Sequence, residues 1–113
     1  MAMKIDAVRR FALSLPEVTE APHFDLSSFR VKGKIFTTVP PGDTHLHVFV
    51  DGAELDVLPA AQPEAYEKLY WGKRVAGLRV TLAAAKPRDV EALMRSAWRR
   101  RAPKKLAAAL GDD

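Results

Sequence analysis

The sequence predicts an α+β domain in which an antiparallel sheet of about five strands carries helices packed on one face. Apolar residues recur at helical spacing near both ends of the chain and alternate with polar residues in several segments between them, and turns rich in glycine or proline separate these segments. A length of 113 residues with 48% hydrophobic residues suits one packed domain, which we assign to residues 1–113.

The chain begins with a predicted helix. Apolar residues recur at helical spacing across residues 5–15. Because Pro16 disfavours helical geometry in the residue before it, this helix should end near Leu13 or Ser14. Residues 17–26 contain prolines among mixed polar residues, and we interpret them as an ordered loop.

Three strands are predicted next, since the apolar period changes to two residues. Residues 28–32 and 35–39 form a hairpin around Gly33, and the prolines and glycine of residues 40–43 end the second strand. Residues 45–50 alternate again and give the third strand.

The second half predicts a short helix, a second hairpin and a long helix. Residues 51–61 are the short helix, with Asp51 as its N-cap, and residues 66–71 and 75–82 are strands joined by a turn at Gly72-Lys73. Pro87 suits the first turn of the long helix, and residues 104–110 suit a short helix after Pro103. The long helix carries the clearest apolar stripe of the chain: Val90, Leu93, Met94, Ala97 and Trp98.

The positive net charge and the alternation of apolar with polar residues in the strands together suggest a binding surface. The net charge of +4 and a pI near 9.6 favour anionic partners. A basic sheet face with an aromatic ring suits nucleic acid, because cations meet phosphates and rings stack on unpaired bases. An ordinary solvated sheet face would show the same alternation, and that interpretation stays open. If the apolar residues face the helices, the opposite face carries Arg30, Lys32, His45, His47, Phe49, Arg79 and Thr81.

The predicted turn of the second hairpin is also notable. Tyr70 and Trp71 stand beside Lys73 and Arg74. These cations can hold phosphates while the indole stacks or wedges. Alternatively, Trp71 covers the edge of the core and the charges are solvated turn residues.

Several activities lack support in the sequence. There is no cysteine, and the glycines form neither a phosphate-binding loop nor a dinucleotide-binding motif. His45 and His47 lie near Asp43 and Asp51, but nothing completes a metal-ligand set at a recognised spacing. We therefore expect no catalytic residues, no cofactor and no metal. Without a signal-peptide core or an apolar run of about 20 residues, we expect a cytoplasmic protein with no membrane association.

Several blocks of the sequence resemble the MmcQ/YjbR family. They are residues 28–36 (SFRVKGKIF), 45–50 (HLHVFV), 70–73 (YWGK) and 80–82 (VTL), flanked by similar residues at 15–22 and 97–106. The resemblance implies a YjbR-like or CyaY-like fold with the order helix, three strands, helix, two strands, helix. This sequence differs from many members at Leu78, where they carry an aromatic residue, and at Ala97-Trp98, where they carry Ser-Tyr. We interpret both differences as variation in the core.

Members of this family are commonly labelled DNA-binding, with two hairpins pictured as wings on the duplex, and Lys34, Trp71 and Lys73 match the blocks involved. Our leading hypothesis is therefore a non-catalytic module that binds DNA or another polyanion. The alternatives are a protein-interaction domain and a small-ligand binder with a pocket between the sheet and the loop at residues 17–26. The expected nucleic-acid contacts are Arg30, Lys32, Lys34, Phe49, Trp71, Lys73, Arg74 and Arg79.

Overall fold

The computed structural model describes residues 3–23 and 26–110. Within them the predicted α+β class is confirmed. The helices are α1 (Ile5–Ser14), α2 (Glu54–Ala61), α3 (Pro87–Arg101) and α4 (Lys104–Leu110). The strands are β1 (Val18–His23), β2 (Leu26–Val31), β3 (Lys34–Val39), β4 (His45–Val48), β5 (Tyr66–Trp71) and β6 (Arg74–Thr81).

The six strands form one antiparallel sheet in the order β1-β2-β3-β4-β6-β5. The register shifts once between β2 and β3, at Phe29/Arg30, and once between β5 and β6, at Leu69/Tyr70. Such bulges increase the local twist of a sheet. Both occur in the two hairpins close to their turns, so they bend the same end of the sheet.

All four helices contribute side chains to a core on one face of the sheet. Val8 of α1, Leu58 of α2 and Leu106 of α4 pack into the same apolar cluster as the sheet residues Phe29 and Leu46. The apolar stripe predicted for α3 is fully confirmed, since all five of its residues are buried. The opposite face of the sheet therefore stays on the outside of this two-layer arrangement.

Trp98 fixes α3 to the chain between α1 and β1. Its ring is completely buried, and its indole Nε1 donates a hydrogen bond to the carbonyl oxygen of Pro16 at 3.0 Å. A second attachment joins α1 to β1, where Arg9 Nε donates to Glu20 Oε1 at 2.9 Å. Burial alone would raise the pKa of Glu20, but the hydrogen bonds from Arg9 and Ser27 outweigh it and lower the pKa.

The prediction of a loop at residues 17–26 is wrong, because Val18–His23 forms the edge strand β1. It pairs with β2 from Val18↔Val31 to His23↔Leu26. Pro22 misled the prediction, yet proline is tolerated in an edge strand, where one side of the backbone has no neighbour. The sheet consequently has six strands rather than about five.

Asp51 is not the N-cap of α2, which also corrects the prediction. The helix begins at Glu54, and the residue before it, Ala53, has helical backbone angles and makes no side-chain cap. Asp51 instead lies 3.1 Å from Arg100 Nε of α3. An ion pair with a residue 49 positions away has no local sequence signal, whereas an N-cap pattern does.

Candidate nucleic-acid interface

The face of the sheet away from the helices, which we call the open face, carries the polar row that the alternation predicts. Thr38, His47, Arg79 and Glu67 lie opposite one another across β3, β4, β6 and β5. His45 lies opposite Thr81 in the neighbouring row. Directly opposed residues of an antiparallel sheet point to the same side, so these side chains share one face.

The cations of this face differ in how they are paired. Arg30 donates to Ser28 Oγ at 3.1 Å and to the carbonyl oxygen of Pro22 at 3.4 Å, both neutral acceptors. Arg79 Nε instead lies 3.5 Å from Glu67 Oε1. Arg30 thus keeps a full positive charge, while the charge of Arg79 is partly compensated.

Lys32 does not lie on the open face as predicted. It occupies the turn between β2 and β3, with φ of 50°, and its Nζ is 3.1 Å from Glu17 Oε1. Gly33 follows with φ of 82°, so both turn residues have the left-handed backbone typical of a tight hairpin. The open face therefore carries fewer free cations than the sequence alone suggests.

The two hairpin turns, Lys32-Gly33 and Gly72-Lys73, lie at the same end of the sheet, which we call the hairpin end. β3 runs from Lys34 towards Thr37, which pairs with Val48, and Val48 pairs with Leu78. From Leu78, β6 leads back to Arg74 in the direction of the first turn. Three inter-strand spacings separate the axes of the two hairpins, which corresponds to about 14 Å.

Three cations at the hairpin end are exposed and unpaired. They are Lys34, at the start of β3, and Lys73 and Arg74, at the second turn. None of their side chains forms a hydrogen bond or an ion pair within the described part of the chain. Unpaired surface cations bind anions at little desolvation cost, so these three are the most available of the predicted contacts.

Aromatic rings lie beside these cations. Trp71 is 70% exposed and Tyr70 is 55% exposed. One side of Trp71 packs on Phe49, with ring centroids 5.8 Å apart and planes inclined by 44°. Phe49 itself, which the sequence predicted as a stacking surface, is only 8% exposed, so little of its ring is open to a base. Its role is to support the indole, whose remaining surface faces solvent.

Arg100, which the sequence analysis did not select, holds the chain at the hairpin end. Besides the ion pair with Asp51, its Nη1 donates to the carbonyl oxygen of Phe49 at 3.3 Å. The contact holds the chain where it leaves β4, at the residue whose ring packs on Trp71. A tertiary contact of this kind leaves no trace in local spacing, because an arginine in the last turn of a helix also suits the negative end of the helix dipole.

His47 lies in the middle of the open face and is half-buried. Burial lowers its pKa, and the nearby charges of Arg79 and His45 lower it further, while Glu67 acts in the opposite direction. Its Nε2 is buried and has no hydrogen-bond partner among the described residues. Protonation would therefore add a charge where solvent cannot stabilise it.

The stability of the protein is expected to fall as the pH decreases through the range below 6.5, the ordinary pKa of histidine. In this range the unfolded chain binds a proton at His47 and the folded chain does not, so protons favour unfolding. His47→Gln should flatten this dependence, measured by urea unfolding between about pH 7.5 and about pH 5.5. His45→Gln should retain most of the slope, because burial, the largest cause of the lowered pKa of His47, is unchanged. An unchanged slope in His47→Gln would contradict this assignment.

Two further observations concern metal ligands and membrane-spanning helices among the described residues. No group of three or more histidine, cysteine, aspartate or glutamate residues within them is arranged to hold a metal ion. No helix in the same part of the chain is long and apolar enough to cross a membrane. Residues 18–23, beside which one alternative placed a ligand pocket, form strand β1.

The structure is that of an α+β domain with a six-stranded antiparallel sheet, in which β4 separates two hairpins whose turns lie at the same end. The chain belongs to the YjbR family, whose model matches residues 13–100. A similar solved structure is that of the Deinococcus radiodurans protein DR2400, which carries the family-model domain DUF419. The two are 19% identical, with a TM-score of 0.77 over 88% of this chain and 78% of that chain, so the likeness concerns the fold. No curated protein matches the sequence.

Proposed function

We propose that this protein is a non-catalytic, cytoplasmic nucleic-acid-binding module that holds DNA at its hairpin end, without strong sequence preference. The observation that carries the proposal is the cluster of unpaired cations, Lys34, Lys73 and Arg74, on two hairpins at one end of the sheet. The exposed Trp71 lies beside them. Contacts to phosphates provide most of the affinity of sequence-independent binding.

The spacing of the two hairpins supports a contact with duplex DNA. Their separation of about 14 Å is comparable to the width of the major groove of B-DNA, about 12 Å. Lys34 on one hairpin and the pair Lys73 and Arg74 on the other can then reach phosphates on the two sides of a groove. Arg30, on the open face near the first hairpin, supplies a fourth cation that no carboxylate compensates.

We expect Lys32 and Arg79 to contribute less to phosphate binding than the sequence suggested. Each is paired with a carboxylate, Glu17 and Glu67 respectively. A phosphate would have to displace that carboxylate, which offsets much of the gain from the new contact. We therefore count four phosphate contacts rather than six.

Fluorescence anisotropy with a short labelled duplex, titrated with salt, tests the proposal. Four phosphate contacts give a slope of about −3.6 for log K against log[salt] and a loss of affinity of about 150-fold between about 50 and about 200 mM salt. A single strand of the same length should give a slope of about −2.8, since its counterions are less condensed. A slope near zero, or no binding at about 50 mM salt, would contradict the proposal.

The exposed rings favour one second candidate, a protein-docking function. Tyr70 and Trp71 are both exposed at the end of the edge strand β5, and aromatic residues dominate the energetics of protein interfaces. Binding of this kind would tolerate salt and would be lost on Trp71→Ala rather than on removal of Lys73 and Arg74. The salt titration therefore separates the two candidates.

A further inference from the structure

A cavity of about 320 Å³ lies between α2 and α3, on the helical side of the sheet. Its walls are mainly aliphatic, with Val57 and Leu58 from α2 facing Ala92 and Leu93 from α3. Val57 is 59% exposed, which is unusual for a valine next to a core. The volume is at the small end of the range for ligand sites, so a slender molecule fits better than a large one.

The two helices that form this cavity run antiparallel. Gln62, just after α2, donates to Asp89 Oδ2 in the first turn of α3 at 3.4 Å. At the other end, Asp51, just before α2, pairs with Arg100 near the end of α3. The cavity is thus a groove between two antiparallel helices. The first turn of α2 lies at one end of it and the first turn of α3 lies at the other.

Each end of the groove carries one carboxylate. Glu54, in the first turn of α2, lines one end, and Asp89, in the first turn of α3, lines the other. Because the helices are antiparallel, Glu54 lies near the level of Ser96, seven residues along α3 from Asp89. At 1.5 Å per residue the two carboxylates are about 10 Å apart along the groove.

Neither carboxylate is neutralised by a cation within the described residues. Asp89 accepts only the amide of Gln62, and Glu54 has no ion pair. The neighbouring acidic residues differ, since Asp51 pairs with Arg100 and Asp56 with Lys68 at 2.9 Å. The groove therefore combines an apolar middle with a free negative charge at each end, in a protein whose net charge is positive.

We propose that this groove binds a linear aliphatic diamine or polyamine whose terminal ammonium groups are about 10 Å apart. The methylene chain lies on Val57, Leu58, Ala92 and Leu93 and removes their surface from water. One ammonium group reaches Glu54 and the other reaches Asp89. An anion would be repelled by the two carboxylates, and a rigid aromatic ligand would not match the narrow apolar groove. This proposal does not depend on the proposed binding of nucleic acid.

An NMR titration of the ¹⁵N-labelled full chain with octane-1,8-diamine tests the inference. Shift changes should concentrate on the groove residues Val57, Ala92 and Ser96 and saturate with a dissociation constant in the millimolar range. Octylamine, which has one ammonium group, should bind up to about fivefold more weakly, the value of one exposed ion pair. Octane-1,8-diol should bind more weakly still.

Variants of the two carboxylates localise the effect. Glu54→Gln and Asp89→Asn should each reduce the affinity for the diamine to that of octylamine, while leaving octane-1,8-diol binding unchanged. Glu91→Gln, on α3 but outside the groove, is the matched control and should bind the diamine as the original protein does. Equal affinities for diamine and octylamine, equal losses in all three variants, or shifts absent from the groove would each overturn the inference.

Discussion

Replacing Gly77 with alanine is expected to destabilise the fold by about 3 kcal/mol or more. A Cβ at this position would overlap the carbonyl oxygen of Val48 and lie 2.9 Å from the Cα of Phe49. Both are backbone atoms, at the end of the neighbouring strand β4 and in the residue that follows it, so no side chain can rotate to make room. The pairing of β4 with β6 would have to open at the centre of the sheet, and domains of this size have a total stability of only about 5–15 kcal/mol.

Gly72→Ala in the same hairpin is the control for this effect. Its φ of 60° places a side chain in open space, with no atom within 4 Å of the added Cβ. Only the backbone conformation is unfavourable there, at a cost of about 1 kcal/mol. Urea unfolding of both variants should therefore give a clearly larger loss for Gly77→Ala. Equal losses would mean that the close approach of β4 to Gly77 is not needed for stability.

Removing the three unpaired cations of the hairpin end should weaken binding to duplex DNA about 500-fold at about 0.1 M salt. The variant is Lys34→Gln, Lys73→Gln and Arg74→Gln combined, and the expected loss assumes that each cation releases the counterions of one phosphate. All three side chains are exposed and unpaired, so the fold should be unaffected. Anisotropy with the labelled duplex measures the loss, and circular dichroism checks the fold.

The matched control removes the same charge from the opposite end of the molecule. Lys4 precedes α1, and Lys86 and Arg88 lie at the start of α3, all exposed. The triple variant Lys4→Gln, Lys86→Gln and Arg88→Gln should lower the affinity only slightly, through the change in net charge. Similar losses in both triple variants would mean that DNA is attracted by overall charge and not by the hairpins.

The parts of the structure that depend on local sequence were predictable. The apolar stripe of α3 and the glycines of both hairpin turns act within a few residues, and they gave the correct elements. The alternation of His45 and His47 with buried neighbours placed both histidines on the open face. Lys34, Lys73 and Arg74 are exposed because turns and strand ends of a sheet project from it.

The errors concern contacts between distant residues. β1 exists because its backbone pairs with β2, and the pairing outweighs the unfavourable proline in its sequence. Lys32 and Arg79 looked free because Glu17 and Glu67 approach them only in the folded chain. Phe49 alternates like an outward residue, but Trp71 from a different hairpin covers it.

The groove between α2 and α3 could also not be predicted from the sequence. Glu54 and Asp89 look like ordinary first-turn acids, which favour the positive ends of their helices. That they are at opposite ends of one groove follows from the antiparallel packing of the two helices. The sequence offered a pocket beside residues 17–26 only as an alternative, and that alternative treated the segment as a loop.

The most direct test of nucleic-acid binding at the hairpin end is the salt slope of the triple variant that lacks Lys34, Lys73 and Arg74. If these side chains contact phosphates, the slope of log K against log[salt] for duplex DNA should change from about −3.6 to about −0.9, since only Arg30 remains. The variant with changes at Lys4, Lys86 and Arg88 should keep the original slope. An unchanged slope in the hairpin variant would show that its cations do not contact DNA and would contradict the proposed function.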